Sequence, residues 1–186
     1  MSLIEVLTAI AILGILVAAG MPSFAEWIQN TKIRTAAESI QNGLQAARAE
    51  AVKRNATVVF EMTDANNANW RVCVWDAAAN ACVAGDPLQS AVSSDGASDV
   101  RLGAMPNTSV ALTTPLAAGN NLPGRVGFTG FGRMAAIGTD FVRIDVTNPK
   151  LAVSSQRRLV IQISTGGQIR MCDPKLDLAS NPRGCA

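Results

Sequence analysis

The sequence predicts an α+β protein in which one long N-terminal helix lies across an antiparallel β-sheet. Residues 6–25 carry no charge, and apolar residues at helical spacing continue from there to Ala51. After Ala56 the pattern changes to short strand-like segments separated by turns rich in Asn, Gly and Pro. A helix followed by a run of strands is typical of α+β domains, and 186 residues suffice for one domain with an appendage.

The uncharged run predicts a membrane-inserted helix over residues 1–25. Its twenty residues form a helix of about 30 Å, which is long enough to cross a bilayer. A buried core helix and a cleavable secretory signal are the alternatives. A secretory signal normally begins with basic residues, whereas here the acidic Glu5 precedes the apolar run.

Three residues of this segment affect how it would behave as a membrane helix. The Glu5 carboxylate is costly there unless it has a cationic partner, and the nearest candidate is an α-amino group, from its own chain or a neighbouring copy. The alternative is that the helix dipole stabilises Glu5 among lipid head groups. Pro22 lacks an amide hydrogen and Gly14 lowers helix propensity, so we expect a bend or break near these positions.

Residues 26–55 predict an amphipathic helix that belongs to the head and ends near Asn55. Two oppositely charged pairs four residues apart, Arg34–Glu38 and Glu50–Arg54, support it. Trp27 either lies at the membrane interface or packs into the head. The apolar stripe consists of Phe24, Trp27, Ile28, Ile33, Ala36, Ala37, Ile40, Leu44, Ala47 and Ala51.

Residues 56–186 predict a β-rich globular head. A turn at residues 165–167 is expected to join the last two strands in a hairpin. We expect strands at residues 57–62, 70–75, 100–102, 109–112, 125–128, 141–146, 158–164 and 168–171.

The composition argues against an enzyme. The chain has no histidine, which excludes Ser-His-Asp and Cys-His triads and a Cys2His2 zinc site. No convergent pair of carboxylates is visible either. We therefore expect no catalytic residues, no metal and no cofactor.

The four cysteines form two local pairs, Cys73 with Cys82 and Cys172 with Cys185. A head outside the inner membrane meets an oxidising compartment, where disulfides are expected. Three connectivities are possible, and the local one is favoured because each pair bounds a short loop. Zinc is the alternative, with less suitable spacing.

The N-terminal pattern Met1-Ser2-Leu3-Ile4-Glu5-Val6-Leu7, followed by Gly14 and Pro22, resembles type IV pilins and type II secretion pseudopilins. The resemblance implies that a peptidase cuts before Met1, which we expect to be the mature first residue, and methylates its amine. Methionine replaces the phenylalanine usual there. Glu5 would pair with the amine of the adjoining subunit, and the stretch around Gly14 and Pro22 would unwind when the subunit enters a filament.

Four further stretches resemble the FimT/FimU/GspH branch of minor pilins and pseudopilins: residues 46–54, 70–76, 126–133 and 166–172. This resemblance implies the pilin fold and a minor type IV pilin that primes or caps fibre assembly. Its partners would be other minor pilins, the major pilin and the inner-membrane assembly platform. The head would lie in the periplasm, and later in the extracellular fibre near its tip. A minor pseudopilin and an anchored domain that never polymerises are alternatives.

Duplex DNA binding during natural transformation is a further alternative. Residues 121–186 hold nine Lys+Arg against four Asp+Glu, and such a basic region attracts polyanions. Some members of the branch resemble DNA receptors with a Gly-Arg-x-Arg motif, whose first arginine is Gln168 here. Arg170, Lys175 and Arg183 could form a patch for phosphates, but residues 168–186 contain no aromatic side chain for base stacking.

Overall fold

The computed structural model describes residues 2–64, 67–83, 85, 87–138 and 140–185, without the side chains of residues 19 and 22. Its N-terminal half is dominated by helix α1, Leu3–Arg54. The helix ends at Asn55, which adopts a left-handed conformation with φ 48° and donates its amide to carbonyls of the last turn. The helix end predicted from the sequence is therefore confirmed.

The rest of the described chain forms two β-sheets. The strands are β1 (Val58–Met62), β2 (Trp70–Asp76), β3 (Ala81–Cys82), β4 (Gln89–Ala91), β5 (Arg101–Met105), β6 (Gly124–Phe128), β7 (Met134–Ala135), β8 (Arg143–Thr147), β9 (Leu159–Ile163), β10 (Ile169–Asp177) and β11 (Gly184–Cys185). The first sheet has the order β3-β2-β1-β6-β7, with β4 also paired to β2, and the second has the order β11-β10-β9-β8-β5. All pairs are antiparallel except the parallel pair β10–β11.

The predicted α+β fold class is confirmed, and the strands are divided between two sheets where the sequence indicated one. The hairpin of β9 and β10 lies where the turn at residues 165–167 predicted it. Four short strands were missed: β3, β4, β7 and β11. Each has only two or three residues, which is too short for an alternating pattern to be recognised.

One face of α1 forms the centre of the core. It contacts strands of both sheets, and its small residues let the strands approach closely. A Cβ atom built on Gly43 would lie 2.7 Å from the Phe60 ring and 2.9 Å from the Trp70 ring. The Trp70 indole also donates a hydrogen bond to Ser39 of the helix, at 3.1 Å. The fully buried apolar residues of this face are Ile33, Ala36, Ala37, Ile40, Leu44, Ala47 and Ala51.

Two tight turns, one from each sheet, meet beside the last turns of α1. The β6–β7 turn contains Gly132, whose carbonyl accepts a hydrogen bond from the Arg48 side chain at 2.9 Å. Gly167, in the β9–β10 turn, has φ +80°, and a Cβ built on it would lie only 2.0 Å from that same carbonyl oxygen. Glycine is therefore required at position 167, because any side chain would separate the two turns.

The predicted strand at residues 109–112 was wrong. The carbonyls of this segment accept hydrogen bonds from two guanidinium groups and not from a neighbouring strand. Arg143 donates to Val110 at 2.8 Å, and Arg158 donates to Leu112 at 2.6 Å. The sequence pattern alone does not reveal this, because the two arginines are distant along the chain.

Both guanidinium groups converge on the fully buried carboxylate of Asp145. Arg143 binds it through two nitrogens, at 2.7 and 2.9 Å, and Arg158, which immediately precedes β9, also binds it. The Leu116 amide donates to the same carboxylate at 3.0 Å. Desolvation lowers the pKa of Arg158 from its ordinary value, and the charge of Asp145 opposes that effect.

Replacing Asp145 by Asn should destabilise the head by about 3–5 kcal/mol, because two buried guanidinium groups lose their counter-charge. Thermal unfolding of the full chain in detergent, followed by near-UV circular dichroism, measures the effect. Asp95→Asn, at an exposed carboxylate, is the control and should leave the midpoint unchanged. Equal midpoints for the two variants would contradict the role of the buried cluster.

Replacing Gly43 by Ala should also destabilise the head, by about 1–3 kcal/mol, because the methyl group overlaps two buried rings. This cost outweighs the gain in helix propensity, which is at most about 1 kcal/mol. Gly14→Ala is the matched control on the same helix, since nothing lies within 4 Å of its added methyl group. A stabilised Gly43→Ala variant would show that helix and sheet are less closely packed.

Candidate functional site

The first half of α1 projects from the head with its apolar side chains exposed on all sides. An 18-residue window of the helix has a mean hydropathy of 2.4 and no part of it is buried. The helix is thus long and apolar enough to cross a membrane, and it is not the buried core helix considered as an alternative. The exposed large residues near its start are Leu3, Ile4, Val6, Leu7, Ile10, Ile12, Leu13, Ile15, Leu16 and Val17.

Glu5 lies in the first turn of this exposed segment. One of its carboxylate oxygens accepts a long hydrogen bond, 3.4 Å, from the backbone amide of Ser2. Within the described residues its carboxylate makes no other hydrogen bond, and the side chain is exposed. The carboxylate is thus placed where an amine of another molecule can reach it. The predicted methylation site, Met1, lies outside the described residues.

Gly14 and Pro22 both lie within α1, which is one continuous helix from Leu3 to Arg54. Nothing lies within 4 Å of a methyl group added to Gly14, so packing inside the chain does not require glycine there. Proline at position 22 gives no amide hydrogen bond to the preceding turn. Local unwinding at these positions remains a prediction.

Both local disulfides expected from the sequence are present. Cys73 is bonded to Cys82, which joins β2 to β3, and Cys172 is bonded to Cys185, which joins β10 to β11. The second bond closes the C-terminal segment that carries Lys175 and Arg183, two of the three candidate phosphate-binding residues. Among the described residues no group of three or more Cys, Asp or Glu side chains is arranged to hold a metal ion.

The three candidate DNA-binding residues occupy different environments. Arg170 donates to the Gly184 carbonyl at 2.7 Å and so supports the C-terminal loop. Lys175 donates to the carbonyls of Ser154 and Val153, at 2.9 and 3.3 Å. The exposed Arg183 side chain has no hydrogen bond or ion pair within the described part of the chain. Lys175 and Arg183 line one cleft, whereas Arg170 is not among its lining residues.

This cleft, of about 940 Å³, lies where α1 enters the head. Residues 23–34 of the helix form one wall, and the other is formed by the loop that leads into β9, at residues 154–159, and by β10 with the loop after it, at residues 171–183. Asn30 ties the walls together, since its side chain donates to the Ser155 carbonyl at 3.2 Å and accepts from the Arg157 amide at 2.8 Å. We call this end of the molecule the base of the head.

The base carries functional candidates that the sequence did not reveal. Arg157 and Arg158 are adjacent in the sequence, which alone does not distinguish their roles. The structure separates them: Arg157 is exposed and lines the cleft, while Arg158 is buried against Asp145. Trp27, at the cleft, is 62% exposed and stacks on Phe24, so it does not pack into the head.

Comparison with known proteins identifies the family to which the chain is similar. The sequence model of the family described as Type II transport protein GspH matches residues 36–167. A search of curated proteins finds no match.

Two crystal structures of the type IV minor pilin FimU from Pseudomonas aeruginosa PAO1 share the fold, each with a TM-score of 0.50. One is 16% identical and covers 77% of this chain and 94% of its own. The other is 19% identical and covers 86% of this chain and 99% of its own. The chain therefore belongs to the GspH family of type IV pilins and pseudopilins.

Proposed function

We propose that this chain is a minor type IV pilin, a structural subunit that primes or caps assembly of a pilus fibre. The observation that carries the proposal is the exposed apolar half of α1, which continues without a break into a half that packs in the head. A helix that is apolar on all sides needs either lipid or other apolar helices around it. A pilin uses both environments in turn.

Before assembly, the exposed half of α1 would span the inner membrane with the head in the periplasm. Two disulfides support that location, because they persist in an oxidising compartment. Within the fibre, the same helix would pack against those of other minor pilins and the major pilin. The inner-membrane assembly platform would move the subunit between the two environments.

Glu5 would select the correct neighbour during that transfer. Its carboxylate is exposed beside apolar residues and bonds weakly within its own chain, which leaves it available to the N-terminal amine of an adjoining subunit. A charge-assisted contact of this kind is strong in apolar surroundings. The amine would be that of Met1 or its equivalent, after processing and methylation.

Replacing Glu5 by Ala should reduce incorporation into sheared fibres by about tenfold or more, because a charge-assisted hydrogen bond contributes about 1.5–3 kcal/mol. Immunoblots of fibre and membrane fractions provide the measurement. Glu26→Ala removes another exposed carboxylate from the same helix and should incorporate normally. Unchanged incorporation of the Glu5 variant, at equal membrane levels, would favour an anchored domain that does not polymerise.

A minor pseudopilin of type II secretion shares these physical features. The family description names that transport system, whereas the FimU structures are of a type IV minor pilin. We favour the pilus because the structural match extends over most of both chains. Loss of surface fibres without loss of secreted proteins, after deletion of the gene, would support this choice.

Duplex DNA binding is a second candidate, supported by the exposed cations Lys175 and Arg183 in one cleft. If DNA is a ligand of the full chain in detergent, Arg183→Ala should weaken binding and lower the slope of log K against log salt by about 1. Arg133→Ala, in the β6–β7 turn, is the matched control. No binding at low salt would exclude this candidate.

A further inference from the structure

We propose that the base of the head binds the phosphate head groups of anionic phospholipids while the subunit is anchored in the membrane. The inference rests on the anchored state of the proposed function and extends it to a second membrane contact. It assigns a role to Arg157, to Arg183 and to the loop whose exposed tip is Val153.

Position along the helix is the first argument. Residues 6–25 fill a hydrocarbon layer of about 30 Å, at about 1.5 Å per residue. Asn30 then lies about 8 Å beyond that layer, within or next to the head groups. Because Asn30 is hydrogen-bonded to Ser155 and Arg157, the loop that carries them is held at the same level.

Charge is the second argument. Four basic side chains, Arg34, Arg157, Lys175 and Arg183, line the cleft against two acidic ones, Glu26 and Asp173. Arg34 is paired with Glu38, outside the lining, at 2.7 Å. Within the described residues, Arg157 and Arg183 have neither a side-chain hydrogen bond nor an ion pair, so their donors remain available for phosphate oxygens.

A second basic site lies at the same level on the opposite side of the helix. Lys32 and Lys150 both bind the Asp99 carboxylate, each at 2.9 Å. Hydrogen bonds from Lys150 and then Lys32 lower the pKa of Asp99, which therefore stays ionised at neutral pH. Two cations on one anion leave a positive charge at the base on this side too.

The exposed apolar residues at the base are the third argument. Val153 is 77% exposed at the end of its loop, and Trp27 is 62% exposed on the helix. Lys175 holds the Val153 loop through two backbone carbonyls. An aromatic ring at the membrane interface and an apolar loop tip beside cations fit a surface of apolar chains and phosphates, and fit free anions less well.

The test uses the full chain reconstituted in nanodiscs of phosphatidylcholine, with or without added phosphatidylglycerol. Amide hydrogen exchange is measured over residues 150–157 and 173–185. The anionic lipid should slow exchange in both segments by about fivefold or more, and added salt should reverse the effect. The variant R157Q/R183Q should lose most of the slowing, while K53Q/R133Q removes two cations at the far end of the head and should retain it.

Three results would overturn the inference. The first is equal exchange in both kinds of nanodisc, and the second is equal loss of slowing in both variants. The third is slowing that requires inorganic phosphate or duplex DNA and not the anionic lipid.

Co-elution of the chain with the nanodisc is measured in the same samples. A chain that stays in the disc without any slowing contradicts lipid binding alone, whereas a chain that leaves the disc contradicts the anchored state as well.

Discussion

The close packing of one face of α1 on two sheets is the constraint on which the rest of the structure depends. The sheets share no described strand, and the helix contacts both, so the narrow face around Gly43 holds the head together. The contact between Gly132 and Gly167 also joins the two sheets, beside the last turns of α1. The buried and exposed halves belong to one continuous helix, so the head is connected directly to the apolar segment.

The proposed exchange of membrane for fibre depends on the apolar half of this helix. Burying the exposed large side chains between residues 3 and 17 is worth about 10–20 kcal/mol or more, so the helix does not remain in water. Lipid tails and packed helices are both apolar, however, so the hydrophobic effect barely distinguishes them. The choice between membrane and fibre then depends on packing and polar contacts. In the proposed function Glu5 favours the fibre, and the proposed lipid contact at the base of the head favours the membrane until assembly begins.

Sequence reasoning succeeded where the signal is local. The end of α1 and the paired cysteines follow from spacing, and seven of the eight predicted strands overlap strands of the structure. It failed where residues distant in the chain determine the conformation. The segment at 109–112 looks like a strand until Arg143 and Arg158 are known to bind its carbonyls. The basic cleft was missed for the same reason, because Arg157 and Arg183 come together only through Asn30 and the folded C-terminal loop.

The most direct test of the account is photo-cross-linking from Leu13, in the exposed half of α1, within intact fibres. Replacement of Leu13 by a photoreactive phenylalanine analogue, followed by irradiation and mass spectrometry, identifies the neighbouring molecule. The account predicts a cross-link to the N-terminal helix of another pilin in fibres, and to lipid before assembly. A chain that is recovered from the membrane fraction alone, and that cross-links there only to lipid, would contradict it.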